Sequence, residues 1–541
     1  MTLPLLILLA SLFAGWRALR RARFFLHIFQ LETYKFDRYG RWLADNVGST
    51  VLRPSHGVGG ALLGIATAAA AYVDPYWVAV GILPLWALTF ISSRRYRRDQ
   101  EKKPLAFTAR MTRLAIATGL VALLPVLLGG VYGWMHSTPA GVLWYLLGFL
   151  AADLGAPLWV AAGAGLTHPV ETLIHEGFKR DARQHLRERP DLTVIGITGS
   201  YGKTSTKFIV SELLQQKYNV YATPSSYNTP MGLCLAVNEH LKPQHQALVL
   251  EYGIRYEGDM DELCTIARPD ISVVTSVGVA HLETMGSVEA IAEEKGKLVD
   301  YTRTDGPTVL NADDDRVRAM AARANGPVWQ ISAEGHDDAD VSAHNIRYDT
   351  DGTSFLVRDD TGTEALFETS LLGKHNVTNV LLAVAVGRSM GLRLRQMAHA
   401  ADRLEPIEHR LQLRQRGDVT IIDDAFNSNP IGARNAVEIL GQMRTGRRVI
   451  VTPGMVEMGE RQWTENKALG THIAEHDIDL TVLIGEEQTA PIAEGLREAD
   501  YPTDRLKVVD SLFDAQEYLK SYLQNGDVVL YENDLPDQYS T

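Results

Sequence analysis

Cysteine is nearly absent from the chain: Cys234 and Cys264 are the only two in 541 residues. That excludes a disulfide framework, and neither cysteine has the short spacing of a metal-ligand motif, so a reducing compartment is expected. A basic excess is also lacking. Sixty-five acidic against 53 basic residues leave a net charge of −12, which argues against a nucleic-acid binder relying on phosphate neutralisation. Internal repeats and low-complexity segments are missing. So is a small-residue cleavage site after the first apolar run, which ends at Trp16-Arg17; that run reads as a retained anchor rather than a signal peptide. Long apolar runs are missing from everything beyond about residue 166.

Before that point they are dense. Apolar runs at roughly 2–16, 57–73, 76–93, 112–134 and 140–164 approach or exceed the ~20 residues a helix needs to cross a bilayer. Arg17, Arg20, Arg21 and Arg23 follow the first run, and Arg94, Arg95, Arg97, Arg98, Lys102, Lys103 and Arg110 follow the third. The turns around residues 73–75 and 135–138 carry no Lys or Arg. Five spans with the N-terminus outside satisfy this asymmetry and deliver the rest of the chain to the cytoplasm. A membrane domain is therefore expected over 1–165, with a lipid bilayer as partner. The aromatic and charged stretch at 24–43 reads as an interfacial amphipathic helix or as a helix packed on the cytoplasmic domain.

The remainder alternates like an α/β protein. DLTVIGIT (191–198) reads as a buried strand, a glycine-rich loop follows, and KFIVSELLQQK has helical periodicity. QALVLEY, ISVVTSV and PTVLNA read as further strands of a doubly wound parallel sheet. Alternation with Asp-Gly turns around 340–370 predicts a small antiparallel excursion. After about residue 405, DVTIIDD, RRVIVTPG, LTVLIG, LKVVD and DVVLYEN space out like a Rossmann-like domain. The expected fold class is thus a helical membrane domain followed by α/β: a P-loop central domain over 166–405 and a Rossmann-like domain over 406–541.

The loop is GITGSYGKTSTK (196–207). It lacks the outer glycine of the common nucleotide loop, since that place falls on Ile197. Even so, Gly199 and Gly202 let backbone N–H groups turn toward an anion at a helix N-terminus. Lys203 would reach the β- and γ-phosphates, and the Thr204 hydroxyl would ligate Mg²⁺. Glu251 ends one apolar strand and His281 follows another, both at the carboxyl edge where open α/β sheets bind ligands. Such a pair suits a Mg²⁺ site, although imidazole is an unusual Mg²⁺ ligand.

Four ordered stretches resemble the Mur ligase family, most nearly its MurF type. They are GITGSYGKTSTK, the segment from LVLEYGIRYEGDMDE to AIAEEKGKL, LLGKHNVTNVLLAVAV, and HRLQLRQRGDVTIIDDAFNSNP. The resemblance spans about residues 185–530 and includes the shortened loop. It implies an ATP-dependent acid–amino-acid ligase that makes an amide bond through an acyl phosphate, on a peptidoglycan or other cell-envelope precursor. It also implies ATP and Mg²⁺ as cofactors and an amino acid or dipeptide as amine; together with the apolar block it makes a bacterial inner membrane the expected location. By motif, Gly199, Ser200, Gly202, Lys203, Thr204 and Ser205 would hold ATP. Thr204, Glu251, His281 and Lys295 would serve the metal, Lys295 once carbamylated; Lys203, His281 and Lys295 are the catalytic set. Asn376, Asn379, Arg410 and Asp424 would complete the nucleotide site, and Asn228 would face the peptide substrate.

Two departures touch substrate recognition. The type's N-terminal UDP-sugar domain is replaced here by the apolar block, and its Lys-Gly-Ser-like element after the last strand is replaced by ENDLPD. Hence the acceptor is expected to be lipid-linked. The alternatives are a membrane-tethered poly-γ-glutamate synthase-like ligase and a non-catalytic nucleotide-binding membrane scaffold. An ATP-driven transporter is disfavoured because the apolar runs hold few ionisable residues, Asp74 and Asp153 excepted.

Overall fold

The computed structural model describes residues 3–51, 105–135, 140–224, 227–405, 411–424, 430–443, 446–456, 458 and 461–533. Two compact units divide the chain, Met1–Gly177 and Phe178–Thr541.

In the first unit, the apolar run at 2–16 opens the helix Leu3–Leu31, and the run at 112–134 lies within the helix Ala109–Met135. The run at 140–164 is not one straight span: Leu147–Leu154 and the helix Ala156–Arg187 meet at 72°. The runs at 57–73 and 76–93 lie outside the described residues. Among the described residues, only Ala109–Met135 is long and apolar enough to cross a membrane, with a second candidate if the bent pair counts as one span. The expected five spans are therefore unsupported as a set. In the first helix, Arg17, Arg20, Arg21 and Arg23 share the helix with the apolar run and cut it short.

The stretch at 24–43 is also not a single interfacial helix. Thr33 and Tyr34 take positive φ (56° and 60°) and end the first helix, and Phe36–Asp45 forms a second. Phe25, Phe29 and Tyr39 from either side of that break are buried with Met111, Leu114 and Val160. Their aromatic rings fill the unit's own core. Asp153 is answered by Arg17, 2.9 Å away, as a carboxylate buried in an apolar setting requires.

The second unit holds two sheets. The first has nine strands: β1 (Thr193–Thr198), β2 (Val220–Ala222), β3 (Ala247–Glu251), β4 (Ile271–Val274), β5 (Thr308–Asn311), β6 (Val328–Ser332), β7 (Val341–Asp349), β8 (Gly352–Arg358) and β9 (Glu364–Thr369). Their order is β2-β3-β1-β4-β5-β6-β7-β8-β9. Neighbours pair parallel up to β7, and β7-β8-β9 form the antiparallel excursion. Ile195, Val249 and Val273 are fully buried, which is why these strands read as unbroken apolar runs rather than alternating ones. The short edge strand β2 and strand β6 carry weaker patterns and were not among the expected strands.

The second sheet has order β10-β11-β15-β12-β13-β14, from β10 (Gln412–Arg416), β11 (Val419–Asp424), β12 (Arg448–Thr452), β13 (Leu480–Ile484), β14 (Leu506–Val509) and β15 (Val528–Glu532). Only β10 is antiparallel. Tyr348 from β7 and Leu372 share a core with Ile422, Val437 and Leu440, so the two sheets' domains are joined by packing.

Candidate functional site

Strand β1 lies between β3 and β4; the chain passes from it to β2 and β3 on one side, then crosses to β4 on the other. That switch point opens a crevice at the strands' carboxyl ends. Residues 199–202 turn there and the helix Lys203–Leu214 begins. Gly202 takes φ 81°, a left-handed conformation that glycine adopts without cost. Gly199 is required by space as well: a Cβ on it would stand 1.9 Å from Thr275 Oγ1.

The loop is pinned by the segment leaving β4. Ser200 N donates to the Ser276 carbonyl (2.8 Å), Tyr201 N donates to Ser276 Oγ (3.1 Å), and Thr275 Oγ1 donates to the Tyr201 carbonyl (2.5 Å). The Ser200 hydroxyl accepts from Gly278 N at 2.8 Å. Lys203 folds over the loop, its ammonium donating to the carbonyls of Gly199 (2.7 Å) and Ser200 (3.3 Å). Burial lowers its pKa, and Glu251 opposes that shift.

Glu251 is buried at the end of β3. Its Oε2 accepts from the Thr204 hydroxyl at 2.9 Å and its Oε1 from the Asn228 amide at 3.1 Å. Lys207 Nζ lies 3.6 Å from Oε2 with its side chain fully buried. A hard cation with octahedral bonds of 2.0–2.1 Å places adjacent oxygens ~2.9 Å apart. The Thr204 and Glu251 oxygens meet that spacing, so the residues present fit Mg²⁺.

Lys295 sits on the helix Val288–Tyr301, 2% exposed. Burial, and then the charge of Lys203, push its amine down to about 7. His281 adopts φ 68° at the start of the short helix Leu282–Met285, with its residue exposed. Partial desolvation and the cations Arg255, Lys295 and Lys203 hold its imidazole below the usual histidine value. Lys203 and Thr204, Glu251, His281 and Lys295 therefore come from four places in the sequence to one edge of the sheet.

The remaining expected residues divide. Asn379, buried on the helix Lys374–Ser389, accepts from the Thr206 hydroxyl at 3.0 Å and donates to Asn376 Oδ1 at 3.3 Å. The Asn376 amide donates to the Leu372 carbonyl at 2.8 Å. Both asparagines thus brace the loop's helix. Asn228, expected to face a peptide, is turned onto Glu251. Ser205 is half-buried beside Thr204. Asp424 ends β11, its Oδ1 accepting from Leu411 N at 3.1 Å, and Arg410 lies outside the described residues. Lys207, Thr275 and Ser276 are site residues that sequence reasoning missed. For Lys207 a signal existed, because four residues past Lys203 it returns to the same helical face.

A parallel sheet with a lysine-bearing phosphate loop at its switch point, a carboxylate beside the loop's threonine, and a second sheet domain packed alongside defines a nucleotide-dependent phosphoryl-transfer enzyme. Two family models match the chain: the Mur ligase middle domain over residues 197–387, and the Mur ligase, glutamate ligase domain over residues 409–531. The UDP-N-acetylmuramoyl-tripeptide–D-alanyl-D-alanine ligase of Mycobacterium tuberculosis is 35% identical over 358 residues, 63% of this chain and 70% of that protein. Its counterpart from Bacillus subtilis is 30% identical over 344 residues, 63% and 72% of the two chains. The crystal structure of a MurF ligase from Thermotoga maritima in complex with ADP superposes with a TM-score of 0.56 at 26% identity, covering 66% of this chain and 80% of that one. The chain belongs to the Mur ligase family and is an ATP-dependent ligase.

Proposed function

We propose that the chain joins an amino acid or dipeptide to the carboxylate of a peptidoglycan precursor, as a MurF-like ligase. The observation that carries this is the convergence of Lys203, Thr204 and Glu251 on the phosphate loop, with the low-pKa Lys295 behind them. In this reading the substrate carboxylate attacks the γ-phosphorus of ATP, the bond to the β-phosphate oxygen breaks, and ADP leaves. The amine then attacks the acyl phosphate carbon, loses a proton, and expels inorganic phosphate as the amide forms. Lys203 and the loop N–H groups hold the transferring phosphoryl group and offset its charge. Bound Mg²⁺ would neutralise charge on the β- and γ-oxygens, held by Thr204 and Glu251. Lys295, as free base near neutral pH, is in the form that adds to CO₂, giving a carbamate with an anionic oxygen donor.

The acceptor is presented on a membrane-bound carrier. This finer reading is motivated by the first unit, which falls outside both matched family models. On the helix Ala109–Met135 the side chains of Leu120, Leu124, Leu127, Leu128 and Val131 are all exposed, an apolar surface suited to hydrocarbon. The catalytic unit then works at the cytoplasmic face of the membrane.

The test is phosphate release and product mass for the purified full chain with ATP, Mg²⁺ and D-alanyl-D-alanine. One arm supplies soluble UDP-muramoyl-tripeptide and the other the same peptide on a lipid carrier in vesicles. Amide formation in either arm supports the ligase reading, and a strong preference for vesicles supports the carrier. Equal or better use of the soluble acceptor sinks the carrier alone. Glutamate-dependent turnover in place of both would replace the peptidoglycan reading.

A further inference from the structure

Away from the phosphate loop, Glu438, His472 and His476 form a compact cluster in the C-terminal domain, with one potential ligand atom from each lying within 4.8 Å of the others. Glu438 is on the helix Pro430–Gln442; His472 is on the helix Gln462–Glu475, and His476 caps its end. The two histidines are four residues apart, so their rings meet on one helical face, centroids 4.2 Å apart and planes inclined at 50°.

The ring nitrogens are oriented by their other contacts. His476 Nδ1 lies 2.8 Å from the His472 carbonyl, which fixes Nδ1 as the protonated nitrogen and leaves Nε2 with the lone pair. His472 Nδ1 faces Glu475 Oε2 at 3.7 Å, while its Nε2 lies 3.5 Å from Glu438 Oε1. That Nε2 is buried without a hydrogen bond of good geometry among the described residues, although the Arg434 backbone, one turn before Glu438, also faces the ring. His476 is held as metal-bound histidines are, through the nitrogen that does not bind. Tetrahedral zinc with bonds of 2.0–2.1 Å sets its donors ~3.4 Å apart. The Glu438–His472 separation already matches, and the ligand atom of His476 lies within 4.8 Å of both.

We propose that Glu438, His472 and His476 bind a divalent transition metal of the zinc class, completed by water, which braces the helix Pro430–Gln442 against the helix Gln462–Glu475. The braced helix begins six residues after Asp424, and Val437 and Leu440 on it pack with Tyr348 of the central domain. The metal therefore stiffens the element joining the two sheet domains. It takes no part in ATP chemistry.

The experiment titrates Zn²⁺ into the untagged, chelator-treated full chain with Mg²⁺ and ADP saturating, by calorimetry, and repeats it on H472Q/H476Q and E438Q. Co²⁺ absorption reports coordination. One site is expected in the wild type, with four-coordinate Co²⁺ bands and a melting temperature raised by several degrees at saturation. The double variant should lose that site and its bands, and E438Q should bind at least roughly tenfold more weakly with unchanged ligase turnover. Equal Zn²⁺ stoichiometry and affinity in all three proteins, or none in the wild type, overturns the proposal. Should the double variant fail to fold, E438Q decides alone, because its side chain is half-exposed and no core depends on it.

Discussion

Lys295 pairs a reactive group with surroundings that oppose its charge, and that opposition can be measured. Burial and Lys203 take its amine from 10.5 to about 7. A lysine with a lowered folded-state pKa binds fewer protons folded than unfolded, so folding is penalised wherever the unfolded amine is protonated. The penalty is largest and nearly flat below pH 7, shrinks as the pH rises, and is gone above 10.5. At 1.36 kcal/mol per pKa unit it amounts to about 4 kcal/mol at pH 7 and about 2 kcal/mol at pH 9. Lys295→Met keeps the stem and removes the titration. In CO₂-free buffer the variant should melt about 5–10 °C above the wild type at pH 7, and roughly half that gap should close by pH 9. Scanning calorimetry of both proteins from pH 6 to 9 reads it directly, and the variant should lose ligase turnover by about 100-fold or more. Parallel melting profiles across that range would refute the assignment of a deprotonated amine. Retained turnover would refute its part in catalysis.

Glu251→Ala strips the carboxylate from beside the buried Lys207 ammonium and should destabilise the second unit by about 3–5 kcal/mol in urea unfolding; Glu251→Gln keeps an acceptor for Thr204, loses less stability, and still abolishes ATP turnover. Gly199→Ala forces a Cβ to within 1.9 Å of Thr275 Oγ1, so equilibrium dialysis should show ATP affinity falling at least tenfold. Asn379→Leu removes the acceptor of the buried Thr206 hydroxyl, at about 1–3 kcal/mol. Its kinetic signature is a raised KM for ATP with kcat changed much less, since the residue braces the loop and does not touch the phosphates.

Much of the α/β architecture was legible because its strands are apolar runs bounded by turn residues. DLTVIGIT, QALVLEY and ISVVTSV each became a buried parallel strand within two or three residues of the expected ends. The antiparallel excursion announced itself by alternation. The weak edge strand β2 and the polar β10 (Gln412–Arg416) gave no such signal, because an edge strand needs few buried side chains. At the site, Lys203, Thr204 and Glu251 were readable from the loop's form and from one acidic residue closing an apolar strand. The occupation of Asn379, Asn376 and Asn228 was not. Amides bond equally well to ligand or protein, and only the fold decides which lies nearer. In the apolar block the limit was of a related kind: hydropathy counts apolar residues, but the bend before Ala156 and the burial of Phe25, Phe29 and Tyr39 are packing outcomes that no run length encodes.

The missing outer glycine has a structural answer in Thr275–Gly278. A short phosphate loop must be held in shape from outside, so that the N–H groups at the start of the following helix stay turned toward an anion. Here Ser200, Tyr201 and their neighbours are tied from outside, by Thr275 Oγ1, Ser276 Oγ, the Ser276 carbonyl and Gly278 N. Asn379 closes the other side, its Oδ1 standing 2.7 Å from where a Cβ on Gly202 would be. A loop lengthened to the common spacing would carry Ser200 and Tyr201 away from those partners and push Gly202 toward Asn379. The short loop and the Thr275–Gly278 segment are therefore one device. Lengthening the loop while leaving that segment intact should lose nucleotide binding, even though the sequence would then look more like a common phosphate loop.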